Sequence, residues 1–246
     1  LNAMTWNDKT CYPVTSRNPQ DFLNLADVYL DAVFSPLSVR DPHALAQEGW
    51  HYEITSPDGP LTRNGVVFNE MKGVFADPDS VAWCEMMRLL FPDVTYGYES
   101  GGDPAAIPDL TFEKYVAFYR RFYHPSNARI FLDGDLDLDA IMAKLDSYLG
   151  RYERRDPRSD VPMQKPVSRT AERQYEVGES DDAENRVVYV QGRVFGSYAD
   201  RAASLAGAVL ADVLTGSNES PLKKALLDRN LCENVEFSCS SVQQLI

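Results

Sequence analysis

One stretch of this chain has almost no choice of conformation. Asn18-Pro19 offers an acceptor side chain at a helix N-cap, followed by a ring whose φ already suits the first helical position. Ser35-Pro36 then stops the helix. Between these signals Phe22, Ala26, Tyr29, Leu30, Val33 and Phe34 recur at helical spacing. A helix with one apolar stripe must bury it against another layer, so the fold has to provide one.

The rest of the chain alternates such helices with short β-rich stretches. Leu1 to Thr15 reads as extended, with a turn at Asn7-Asp8. Trp50 to Thr55 reads as a strand closed by the turn Ser56-Pro57-Asp58-Gly59. Helices are expected over 64–75, 79–91, 111–122, 139–149 and 200–214, and after Ser220-Pro221. Strands are expected over 128–132 and 186–195, the second rich in Val and Tyr. A long loop covers 92–108. From Arg151 to Arg173 charge and proline dominate, which reads as a linker. The expected architecture is therefore α+β. Repeated α/β units carry helices packed on mainly antiparallel sheets, with a first unit at 1–150, a linker at 151–173 and a second unit at 174–246. The second unit lacks a closing signal, and Met4 falls inside a strand, so the chain reads as truncated at both ends.

Composition narrows the function. With 44% hydrophobic residues in 246, the chain can build a sizeable core. Asp and Glu outnumber Lys and Arg by 37 to 24, a net charge of −13. Such a chain repels phosphate backbones and anionic lipid, so neither nucleic acid nor membrane is an expected partner, whereas basic peptides are attracted. No apolar run approaches the roughly 18 residues of a membrane span, and the start has no secretory pattern. Cys11, Cys84, Cys232 and Cys239 form no CxxC pair. They read as free thiols in a reducing compartment, the cytoplasm or an organelle matrix, and not as those of a secreted protein.

The residues that could carry chemistry are few. His43, His51 and His124 are the only histidines, and no two share the i, i+4 spacing that grips zinc on one helix face. There is no GxSxG turn and no phosphate-cradling glycine loop, so no catalytic residue is assigned within the chain. Glu70 stands apart, as one acid in the otherwise apolar stretch Gly65 to Gly73. On a helix it shares a face with Val66, Val67 and Gly73. It needs a cation or metal there, unless it reaches solvent or pairs with Lys72.

Several segments resemble the insulinase-type zinc metallopeptidases, most closely the presequence-protease branch. They are Leu1 to Trp6 with Asp8 to Pro13, Asp27 to Phe34, Glu48 to Glu53, Gly65 to Gly73, Tyr96 to Pro104 and Phe122 to Ala128. The second half resembles the family more loosely, through Ser220-Pro221-Leu222 and the helix after it. The resemblance implies a zinc endopeptidase acting on short unstructured peptides. Its metal is held by an inverted His-x-x-Glu-His motif and a distal glutamate, which by position is Glu70. That motif, with its general base, is expected upstream of Leu1, so this fragment alone is expected to be inactive and its zinc site incomplete. Asn2, Ala3 and Met4 match the edge strand that pairs with substrate, Met4 bordering a pocket for an apolar side chain. At the position where some relatives carry a second acid, this chain has Arg63. The other expectation is a non-catalytic peptide-binding or assembly subunit of the same fold. Either way, the rest of the parent chain is an expected partner.

Overall fold

The computed structural model describes residues 2–178 and 186–246, so Leu1, expected to be extended, lies outside the described residues. The chain forms two compact units. One comprises Leu1–Val81 and Tyr98–Val161, the other Ala82–Gly97 and Pro162–Ile246. Among the described residues the first is α+β, its strands forming short antiparallel hairpins, and the second is helical with only isolated bridges.

The first unit opens with β1 (Met4–Thr5) paired to β2 (Thr10–Cys11), Met4 opposite Cys11. Asn7-Asp8 lies in the turn, where Trp6 N–H donates to the Lys9 carbonyl at 2.8 Å. Helix α1 (Pro19–Phe34) begins and ends where its signals stand, the Asn18 side chain accepting from the backbones of Gln20 and Asp21. A 3-10 turn at Leu37–Val39 follows. Helix α2 (Pro42–Glu48) carries the same Asx-Pro signal at Asp41-Pro42, in a helix too short to show an apolar stripe. Strands β3 (His51–Glu53) and β4 (Thr62–Asn64) form the second hairpin, His51 opposite Asn64. Helix α3 (Val66–Val74) leads to α4 (Pro78–Leu90).

Helices α5 (Phe112–Phe122) and α6 (Leu138–Leu149) complete this unit, with Val116 and Ile141 buried. Helix α1 lies beside α6, where Asp27 meets Lys144, and the Tyr119 hydroxyl donates to the Val33 carbonyl at 2.7 Å. Tyr119 stacks on Tyr123, whose hydroxyl receives the Tyr12 O–H at 3.0 Å. Burial, then the neighbouring phenols, push the Tyr119 hydroxyl up to about 12. Pro19–Val39 is long and apolar enough to cross a membrane by length and composition. This differs from the expectation that no run approaches such a length, although Asp21, Asp27 and Asp31 lie within it. Within the described residues α1 fully buries none of its side chains, and it meets α6 and α5 through the contacts above.

In the second unit Met87, Phe91, Val94 and Tyr96 are buried, Phe91 meeting Tyr96 edge-on at 5.6 Å. Leu245, also fully buried, exchanges both backbone hydrogen bonds with Phe195 at 2.9 and 3.2 Å. Gln164 and Gln244 bolt this tail down. The Gln164 N–H donates to Gln244 Oε1 at 2.7 Å, and Gln244 Nε2 donates to the Gln164 carbonyl at 3.2 Å. Gln164 sits inside the stretch whose composition reads as a linker, yet it is buried. Helices α7 (Arg201–Thr215) and α8 (Pro221–Leu227) follow.

Two strand expectations fail. Residues 128–132 and 186–195 form no strand, apart from the single bridge of Phe195 to Leu245. Val187 and Tyr189 are 85% and 84% exposed, and Phe131 is 88% exposed. High β-propensity expresses itself only beside a partner strand, and none lies alongside these segments among the described residues.

The surface is large. The chain exposes 18033 Å² at a mass of 27.6 kDa. A compact monomer of that mass would expose about 11,000 Å², and two separately folded halves about 13,000 Å².

Candidate functional site

Helix α3 positions Glu70, and two close approaches fix α3. At its N-terminus Gly65 adopts φ 152°, and a Cβ there would lie 2.3 Å from the Gly49 carbonyl oxygen. That same carbonyl accepts the Phe68 N–H at 3.2 Å, so the first turn of α3 is held against the turn leading into β3. On the inner face Phe68 and Met71 are buried. A Cβ on Gly101 would lie 2.3 Å from the Met71 sulfur, so the loop after Tyr98 rests closely on α3 and a side chain there would make Met71 shift.

The outer face of α3 is bare. Val66 is 55% exposed, Glu70 is exposed, and nothing lies within 4 Å of a Cβ built on Gly73. These residues follow each other at helical spacing, as the sequence reading has it, but they pack on nothing among the described residues. Glu70 makes no hydrogen bond or ion pair there. Lys72, its expected salt-bridge candidate, instead places its ammonium 5.8 Å from the centre of the Phe68 ring.

Asn2, Ala3 and Met4 are exposed on the opening hairpin, with Met4 54% exposed. Asn2 N–H donates to the Tyr29 hydroxyl at 3.0 Å, fastening the strand to α1. Among the described residues strand β1 pairs with β2 alone, which leaves its other edge without a partner strand there. Among the described residues no hydrogen bond or ion pair joins Glu70 to this strand. They share a support instead. The Asn7 amide donates to the Tyr98 carbonyl, at the start of the loop that lies against Met71.

The three histidines have structural tasks. His43 Nδ1 lies 2.8 Å from Asp41 Oδ1, within the α2 cap. His51 Nδ1 lies 2.7 Å from the Ala46 carbonyl. His124 Nδ1 accepts the Ser126 N–H at 3.2 Å and so starts the next turn. Burial, then the positive charge of Arg155, hold the His124 imidazole below its ordinary value. Arg63, on β4, stands opposite Tyr52 and is exposed.

Among the described residues no group of three or more His, Cys, Asp or Glu side chains gathers closely enough to hold a metal. These residues alone therefore do not fit a zinc ion, and no chemical step can be assigned to one here. An open, arginine-lined depression between the end of α5 and the segment at 155–158 is not among the features expected from the sequence. Its signal was Arg154-Arg155 and Arg158, lost in a stretch read as a linker.

Helices laid beside short antiparallel hairpins make this an α+β protein. The family model described as Peptidase M16 inactive domain matches residues 109–245. The chain belongs to the M16 peptidase family. It is 43% identical over 248 residues to Protein HypA of Clostridium perfringens, covering 99% of this chain and 26% of that protein. It is 43% identical over 238 residues to Presequence protease 1, chloroplastic/mitochondrial, of Arabidopsis thaliana, covering 95% and 22%. Against Presequence protease, mitochondrial, of Xenopus tropicalis, identity is 37% over 238 residues, covering 94% and 23%. The chain thus spans 22% to 26% of the length of these relatives.

Proposed function

We propose that this chain is part of a zinc-dependent endopeptidase degrading short unstructured peptides, in which Glu70 supplies one ligand to the metal. The carrying observation is a carboxylate without a partner among the described residues, on a bare helix face beside Val66 and Gly73. A second helix bearing the remaining donors would close such a face, and the excess of exposed surface supports a longer chain as its source. The general base and the two histidines of the inverted motif belong to that longer chain, and the 246 residues alone are inactive.

In this reading Asn2, Ala3 and Met4 bind the peptide by strand addition. Main-chain hydrogen bonds accept any extended sequence, and the exposed Met4 side chain borders an apolar pocket. The net charge of −13 favours basic peptides. Residues 1–150 are the end of a metal-bearing domain, 151–173 a linker and 174–246 the start of a second, homologous domain. The free thiols and the relatives named for mitochondria and chloroplasts support an organelle matrix or the cytoplasm.

In the longer protein, a chelator abolishes peptide hydrolysis. Glu70→Gln lowers its rate by more than about a hundredfold, the upper end for losing only an outer-shell partner of a metal. An unchanged rate in Glu70→Gln contradicts the proposal. A second reading, a non-catalytic binding or assembly subunit, is favoured by the description of the matching family model as an inactive domain. Loss of the His-x-x-Glu-His motif upstream of Leu1 would select it.

A further inference from the structure

We propose that Arg121, Arg155 and Arg158 form a binding site for a dianionic phosphoryl group. With Asp156 and Pro157 they line an open surface depression of about 320 Å³ in the first unit, the three arginines themselves exposed. In a chain of net charge −13 a cation has acids in excess to pair with. Lys144, Arg88, Arg173 and Lys224 all do so. Yet among the described residues none of Arg120, Arg121, Arg154, Arg155 and Arg158 is in an ion pair. Three of these, Arg121, Arg155 and Arg158, line one depression in a protein of opposite net charge.

The cluster is held in position by neutral groups. Arg155 Nη2 donates to the Arg120 carbonyl at 2.6 Å, and its backbone N–H donates to Ser126 Oγ at 3.1 Å. The Arg121 guanidinium lies 4.7 Å from the centre of the Phe122 ring. Arg158 adopts φ 52°, a left-handed conformation that a residue with a Cβ rarely takes. Its N–H donates to Asp156 Oδ1 at 2.9 Å, an Asx turn that holds the strained residue in place. Backbone strain of this kind persists where the surroundings enforce it, and it gathers at ligand clamps.

The charge selects the ligand. Three guanidiniums against the single carboxylate of Asp156 leave two positive charges, which a phosphoryl group at neutral pH, carrying about −1.5 to −2, balances. A single carboxylate would leave the site positive. The guanidinium fork also matches phosphoryl oxygens two at a time. The acidity of the remaining chain argues for one compact anion over an extended polyanion.

The test is calorimetric titration of the full chain with inorganic pyrophosphate, and with a phosphoserine hexapeptide beside its unphosphorylated twin. Succinate serves as a dianion without phosphorus. At least one phosphorylated probe binds, while succinate and the unmodified peptide bind about tenfold more weakly or not at all. Pyrophosphate alone assigns the site to a free phosphate, the phosphopeptide alone to a modified side chain, and either supports the proposal. Arg158→Gly suits the left-handed backbone while removing the guanidinium, so it keeps the thermal midpoint and weakens binding about tenfold, as loss of one charged hydrogen bond does. Arg121→Ala weakens binding similarly, and Arg17→Ala, on an exposed residue outside the depression, does not. Succinate binding as tightly as pyrophosphate, undiminished binding by Arg158→Gly, or no binding of either phosphorylated probe would overturn it.

Discussion

Helices α3 and α7 differ in how much they bury: α3 buries large apolar side chains, and α7 fully buries none of its residues. In α3 the large side chains Phe68 and Met71 are buried, while Glu70 and Gly73 are exposed. In α7 the close contact falls on a glycine: a Cβ on Gly207 would lie 2.4 Å from the Cys239 sulfur. Leu205, Val209 and Val213 meanwhile remain 68%, 55% and 54% exposed. The first helix is held by apolar burial within its own unit and offers a polar group outward. The second spends little of its apolar surface within its own unit. Apolar content alone therefore does not tell which helices a unit completes for itself.

Truncating a large side chain should cost stability in α3 and little in α7. Phe68→Ala removes a buried ring and should destabilise the first unit by about 3–5 kcal/mol, read by denaturant unfolding. A cost below about 1 kcal/mol would remove the contrast. A smaller effect sharpens it through pH, because all three histidines lie in the first unit. His124 has a folded value below its ordinary 6.5, so its neutral form contributes stability that is present above that pH. This stability is lost as the pH falls through the depressed folded value. Hydrogen exchange in α5 should accelerate over that interval, less so in His124→Gln, while exchange in α7 stays level. The smallest effect belongs to Leu205→Gln, which should change stability by no more than about 0.5 kcal/mol, as for an ordinary exposed site. A loss of several kcal/mol would mean that α7 is completed within this chain after all.

Much of the helical frame is legible in the sequence because capping is local chemistry. Asn18-Pro19 and Thr111 mark starts that the structure uses, and Ser35-Pro36 marks a stop. What the sequence hides depends on distant residues. Residues 128–132 and Val187 to Val190 have strand composition but no neighbouring strand, and Gln164 hides its burial among charges and prolines. Glu70 is legible as the odd acid of its helix. That Val66 and Gly73 beside it pack on nothing is not, since which face a helix buries is decided by the elements it meets. The arginine-lined depression depends on α5 meeting a segment far along the chain, which spacing alone does not convey.

The most direct measurement is the zinc content of the longer peptidase, purified as wild type, Glu70→Gln and Glu70→Asp. If Glu70 is a ligand, the wild type carries zinc, Glu70→Asp retains part of it, and Glu70→Gln loses it at metal concentrations that saturate the wild type. Glu70→Gln protein holding zinc in wild-type amount and affinity would contradict the account.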